Sequence, residues 1–165
     1  MAFKVDDWVV HPHHGVGRIV KIESRQFGSK TGGLYYEISL TNGTLWVQVD
    51  SSSSGLRKLT AKEDLARYRD VLRSRPITLN TNHRQRQIEI DDRLRQGSLQ
   101  ARCEVVRDLS ALGWYKPLGE GNSTLLRVAY QALNQEWAMA DGVSLREASH
   151  EVEGLLKEGK SRYKK

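Results

Sequence analysis

Hydrophobic and polar positions alternate over the first third of the chain and recur at helical spacing over the rest. The clearest alternation runs from Tyr35 to Val49 and is broken once, at Asn42-Gly43. That dipeptide suits the two positive-φ positions of a type I′ hairpin turn, which predicts Thr41 facing Thr44. The register that follows pairs Leu40 with Leu45, Ile38 with Val47 and Tyr36 with Val49. It puts an apolar ladder on one face and Glu37, Ser39, Trp46 and Gln48 on the other. Two more strands are expected upstream, Phe3 to Val10 and Val16 to Glu23, joined by a turn at Pro12-His13-His14-Gly15. A loop at Gly28 to Gly33 leads into the hairpin. These short strands predict a small SH3-like or Tudor-like β-barrel over residues 1–58.

From residue 59 to 165 the pattern is helical, so the predicted class is α+β, a β-barrel followed by an all-α domain. Thr60-Ala61-Lys62-Glu63 reads as a capping box opening a helix with Leu65, Tyr68 and Leu72 on its buried stripe, which Pro76 stops. A second helix is expected from about Arg84 to Gln96, ending at Gly97. Ser98 caps a third carrying Leu99, Cys103, Val106 and Leu109. After an interruption at Gly113-Trp114-Tyr115-Lys116-Pro117, Ser123 reads as the cap of a long helix with Leu126, Tyr130, Leu133, Trp137 and Ala140 on one side. Ser144 opens the last helix, through Val152 and Leu156, and Gly159 onward reads as a frayed basic tail. Ser51 to Ser54 reads as a surface loop.

Composition narrows the function classes. The chain has 165 residues, 38% apolar and 28% charged, and its single cysteine excludes an intramolecular disulfide, a four-cysteine metal site and a CxxC redox pair. No apolar run is long enough to cross a membrane and MAFKVDD lacks a secretory core, so a cytoplasmic location is expected. Charge is uneven. The net charge is +6, and residues 66–107 hold ten Arg, no Lys and five acids. Arginine at the exclusion of lysine favours multidentate contact with phosphate or carboxylate, and pairing with neighbouring acids on helix surfaces is the competing reading.

Motifs for catalysis are absent. His11, His13 and His14 cluster at a turn without an HExxH or CxxC partner pattern, so they read as turn histidines ahead of metal ligands. No phosphate loop or nucleophile elbow is present, and Asp91-Asp92 lies on a charged helix. A non-enzymatic protein with no metal or other cofactor is expected.

Several segments carry a resemblance. Phe3-Lys4-Val5 with Asp7, Val9-Val10-His11-Pro12-His13-His14-Gly15-Val16-Gly17, Ile22-Glu23, Tyr35-Tyr36 and Gly55-Leu56-Arg57 resemble the CarD/CdnL family of bacterial RNA polymerase-binding regulators. So does Ala101-Arg102-Cys103-Glu104-Val105-Val106-Arg107-Asp108-Leu109, and so do Leu125-Leu126, Ala129, Leu133, Glu136 and Ala138. The N-terminal motif alone also fits the polymerase-interaction domain of transcription-repair coupling factors; the Ala101–Leu109 segment makes the match CarD-like.

The resemblance implies a transcription regulator whose barrel holds the RNA polymerase beta subunit and whose helices touch promoter DNA at the upstream edge of the bubble, largely independently of sequence. It places the polymerase contact on Arg25 and on Gln48, where the family has an Arg. Trp46 joins them because the hairpin alternation aims it away from the core. It places DNA contact at the start of the second helix, where the family has a wedge tryptophan and this chain has His83. Imidazole stacks less than indole, so the wedge is expected to shrink, while Arg84 and Arg86, with Arg93 and Arg95 further along, anchor phosphates. Trp114, in a loop, is the one candidate for a displaced aromatic. A monomer is expected. The runner-up reading is a polymerase- or protein-binding module that no longer engages promoter DNA.

Overall fold

A computed structural model describes residues 2–28, 32–50 and 54–165. Much of the predicted loops at 28–33 and 51–54 lies outside them. The chain divides into two compact units, one ending at Leu59 and the other beginning at Thr60.

The first unit is a five-stranded antiparallel sheet: β1 (Trp8–His11), β2 (Gly15–Arg25), β3 (Gly33–Leu40), β4 (Gly43–Gln48) and β5 (Arg57–Lys58), ordered β4-β3-β2-β1-β5. Val9, Ile19, Tyr36, Ile38 and Val47 form its core, with Phe3, Leu40, Leu45 and Leu56 packed around them. Phe3 sits outside the strands. Asp6, at φ 78°, turns the chain before β1, so the first strand is shorter than the predicted Phe3 to Val10. Edge-on stacking of Phe3 on Tyr36, 5.6 Å between centroids, still anchors that segment on the core.

The hairpin register differs from the predicted one by two residues. Leu40 pairs with Gly43, Ile38 with Leu45 and Tyr36 with Val47, so Thr41-Asn42 forms the turn. Neither has a positive φ, which rules out the type I′ turn expected at Asn42-Gly43. A slip of two returns every side chain to its own face. Apolar still meets apolar in either register, so alternation gave no way to choose between them.

Gly17 fixes how closely β2 and β3 approach. A Cβ at this position would stand 2.5 Å from Ile38 Cγ2, 2.8 Å from Leu40 Cδ2 and 3.0 Å from the Ser39 carbonyl oxygen. Gly17→Ala is therefore expected to cost about 1–3 kcal/mol by overpacking. Urea denaturation of the full chain measures it, and an unchanged sheet transition would show that the strands part here without loss.

The second unit contains α1 (Leu65–Arg73), α2 (His83–Arg95), α3 (Leu99–Leu112), α4 (Glu120–Asp141) and α5 (Leu145–Tyr163). The predicted stripes meet in its core: Leu65, Tyr68, Leu72, Leu99, Cys103, Val106, Leu109, Leu133, Trp137 and Val152 are all buried. Ser98 and Ser144 cap their helices as expected, accepting from Ala101 N and Glu147 N.

Three helix ends differ from expectation. The capping box at Thr60 is not formed: a 3-10 turn at Lys62–Asp64 precedes α1, and Thr60 Oγ1 donates to Glu136 Oε2 at 2.6 Å. Glu136 is fully buried and also accepts from the Thr60 backbone N–H at 3.4 Å, which turns Thr60 toward α4 and away from a capping position. Ser123 lies inside α4, which starts three residues earlier behind Gly119. The expected tail is helix through Tyr163, because Gly159 is buried with its Cα facing the Arg73 backbone. A Cβ at Gly159 would sit 3.4 Å from Arg73 O, so a small residue here lets α5 pass close to the end of α1.

Candidate functional site

On the sheet, the residues expected to meet a protein partner share one face. Arg25, the last residue of β2, lies across the Trp46 ring with its guanidinium carbon 4.9 Å from the centroid. Phe27 stands 6.1 Å from Trp46 and 4.9 Å from Tyr35. The Arg25 charge is partly answered, since Nε donates to Glu23 Oε1 at 2.8 Å and an Nη lies 3.7 Å from Glu37. These bonds from Arg25 and Lys21 hold the Glu23 carboxyl below its usual pKa. Gln48 is exposed at the end of β4, opposite Tyr35. Trp46 is half-buried and its Nε1 has no hydrogen-bond partner. The surface therefore offers an aromatic plate and one stacked guanidinium, while the indole N–H is turned away from solvent.

The histidine cluster is a turn device. His11 Nδ1 accepts from the backbone N–H groups of His13 and His14, at 3.1 and 3.3 Å. Burial, then the His14 and His13 charges, lower the His11 pKa, which suits an acceptor nitrogen. No group of three or more His, Cys, Asp or Glu among the described residues is placed to hold a metal ion.

In the helical unit the five predicted DNA residues have different surroundings. Asn82 caps α2 through Gln85 N, so His83 and Arg84 stand in the first turn, where the helix dipole favours anions. Arg84 is exposed and makes no hydrogen bond or ion pair among the described residues. Arg86 folds back, donating to Asn80 O at 2.9 Å and to His83 Nδ1 at 3.2 Å. A guanidinium only donates, so His83 Nδ1 accepts and the neutral ring carries its proton on Nε2. Arg95 is exposed but lies 3.4 Å from Asp92.

Arg93 is turned inward. Its guanidinium reaches Asp108 Oδ2 at 3.1 Å, and its side chain is only 23% exposed. The expectation that it anchors phosphate does not fit this placement, because a fully buried carboxylate already holds it. Asp108 is the hub that sequence reading missed. Its other oxygen accepts from Arg107 Nε at 2.8 Å and from Ile77 N at 3.0 Å, and Arg107 also donates to Ser74 Oγ. One buried carboxylate thus ties α3 to α2 and to the segment after α1. The Arg-Asp pair at 107–108 was visible in sequence, but nothing local showed that a second arginine, Arg93, fifteen residues before Asp108, would join it.

A groove of about 1090 Å³ opens beside the α2 tip, lined by His83, Arg86, Arg75, Lys116, Trp114 and Asn122 among others. His83 reaches the start of α4, with its Cε1 3.8 Å from where a Gly121 Cβ would lie. Among the described residues no helix is long and apolar enough to cross a membrane.

Comparison with known proteins agrees with this arrangement of sheet and helices. Residues 3–60 match the CarD-like/TRCF RID domain and residues 67–153 match the CarD C-terminal domain. The chain is also similar to a protein of Bacillus subtilis (strain 168) named "Putative transcription factor YdeB", 28% identical over 145 residues that cover 86% of this chain and 94% of that one. With one domain of the family matched on the sheet unit and the other on the helices, in that order and over most of its length, the chain belongs to the CarD-like transcription factor family.

Proposed function

We propose that this protein docks on the RNA polymerase beta subunit through residues 1–58 and stabilises the open promoter through sequence-independent DNA contacts made by residues 59–165. It acts as a regulator in the cytoplasm, at the nucleoid; the chemistry belongs to the polymerase. The observation that carries the DNA half is Arg84. Its guanidinium stands exposed and unpaired in the first turn of α2, beside His83, where backbone N–H groups and the helix dipole already favour a phosphate. The polymerase half is supported by membership of the family and by the Arg25–Trp46 stack, a composition common at interface hot spots.

Arg84→Glu tests the DNA half. Loss of one phosphate contact is expected to reduce the slope of log K against log salt by about 1 and to shorten the open-complex lifetime. A variant with the wild-type slope and lifetime overturns this reading. One observation favours a second reading, a polymerase-binding module without DNA contact: Arg93 is held by Asp108, Arg95 pairs with Asp92, and Arg86 is bonded to Asn80 and His83. Under that reading, complex formation on promoter DNA depends weakly on salt and tracks polymerase affinity alone.

A further inference from the structure

The groove beside the α2 tip contains a polar side chain that the fold leaves unused. Asn122, in the first turn of α4, is 7% exposed, lines the groove and makes no side-chain hydrogen bond among the described residues. The residue is mostly buried, but its amide atoms keep access to the groove, where they are open to water or to a ligand that replaces it. The amide is planar and both donates and accepts, which matches the edge of a nucleobase.

The surroundings supply the rest of a nucleotide's needs. The N-terminus of α4 has no side-chain cap, since Gly119 occupies that position, so its first N–H groups face the groove's end without a side-chain acceptor. His83, with its Nε2 proton, Arg86, Arg75 and Lys116 bring positive or donating groups to the same walls. Two carboxylates also line it. Asp108 is saturated by Arg93, Arg107 and Ile77 N, whereas Glu120 is exposed and opposes an anion at the α4 end. An aromatic wall completes the site. Trp114 is half-buried, and Tyr115 is 63% exposed with Lys164 Nζ 5.3 Å from its ring centroid.

We propose that this groove takes one nucleotide of an unpaired DNA strand, with the base against Tyr115 and Trp114, its edge on the Asn122 amide, and the phosphate toward His83 and Arg86. Duplex DNA cannot present such a unit, because its bases are stacked and their edges paired. The proposal rests on the reading of the helical unit as a DNA-contacting surface but uses residues other than Arg84.

Fluorescence anisotropy of the full chain with labelled (dT)8, with a duplex of the same length, and with unlabelled GTP as competitor tests it. Tighter binding of (dT)8 than of duplex is expected. Tyr115→Ala is expected to weaken it about 5–100-fold, the range of one lost base stack. Asn122→Ala is expected to weaken it about 2–10-fold without lowering the thermal midpoint, because the amide has no internal partner to lose. A purely structural Asn122 would move the midpoint and leave affinity alone. Displacement of (dT)8 by GTP at comparable concentration would make a free nucleotide the occupant and overturns the assignment to a DNA strand. Equal affinity for single strand and duplex, or wild-type affinity in both variants, overturns the proposal. Normal duplex binding with no single-strand preference leaves the DNA reading standing and removes only this site.

Discussion

Asp108→Ala is expected to destabilise the helical unit by about 3–5 kcal/mol, the range for removing one partner from a buried ion pair. The carboxylate is fully buried, and its loss strands Arg107, at 8% exposure, and half-buried Arg93 without their acceptor. It also orphans the Ile77 N–H. The urea dependence of far-UV ellipticity measures the effect, and a loss below about 1 kcal/mol would mean that water replaces the carboxylate. Asp108→Asn is the milder companion, since its carbonyl oxygen in the Oδ1 place still accepts from Arg107 Nε and Ile77 N and only Arg93 loses its acceptor. Asp108 lines the groove beside His83, so partial unfolding here should also blunt every nucleic-acid readout of this unit.

Trp46→Ala is expected to weaken binding to RNA polymerase by about 2 kcal/mol or more, roughly 30-fold, as for a central aromatic anchor at an interface. The indole stands on the outer face, half-buried against Arg25 and Phe27 and outside the sheet core, so the thermal midpoint of the sheet unit should move little. Immobilised polymerase and a concentration series of each variant measure the affinity. Wild-type affinity in Trp46→Ala would remove this face from the contact. Arg25→Glu should weaken binding too, because it removes the guanidinium stacked on Trp46 and sets a third carboxylate beside Glu23 and Glu37.

Much of the fold was legible because it rests on local rules. Alternation placed Tyr36, Ile38 and Val47 inward and Trp46 and Gln48 outward, and this survived a two-residue error in the hairpin register. Helical spacing named Leu65, Tyr68, Leu72, Leu133 and Trp137 as core. Caps at Ser98 and Ser144 were readable because each satisfies a backbone donor three residues away. Where a cap competed with a distant buried charge, as at Thr60 and Glu136, local reading failed.

The candidate surfaces divide the same way. Sequence located the tip of α2 and the outer face of the hairpin, since both follow from periodicity and a helix start. It could not rank the arginines within the Arg-rich segment. Arg84 and Arg93 are chemically identical along the chain, and only packing sets one in solvent and the other on Asp108. Nor could it single out Asn122, one neutral residue near a helix start, before α4 and the segment after α1 enclosed it.

By itself, then, the sequence determined the two-part organisation, the strand faces, the helix stripes and family membership, because each depends on residue type at short, regular spacing. The tertiary structure alone decided which charges are spent inside the fold and which remain for a partner. Charge pairing depends on distances between residues far apart in the chain, and burial raises the cost of leaving any of them unpaired.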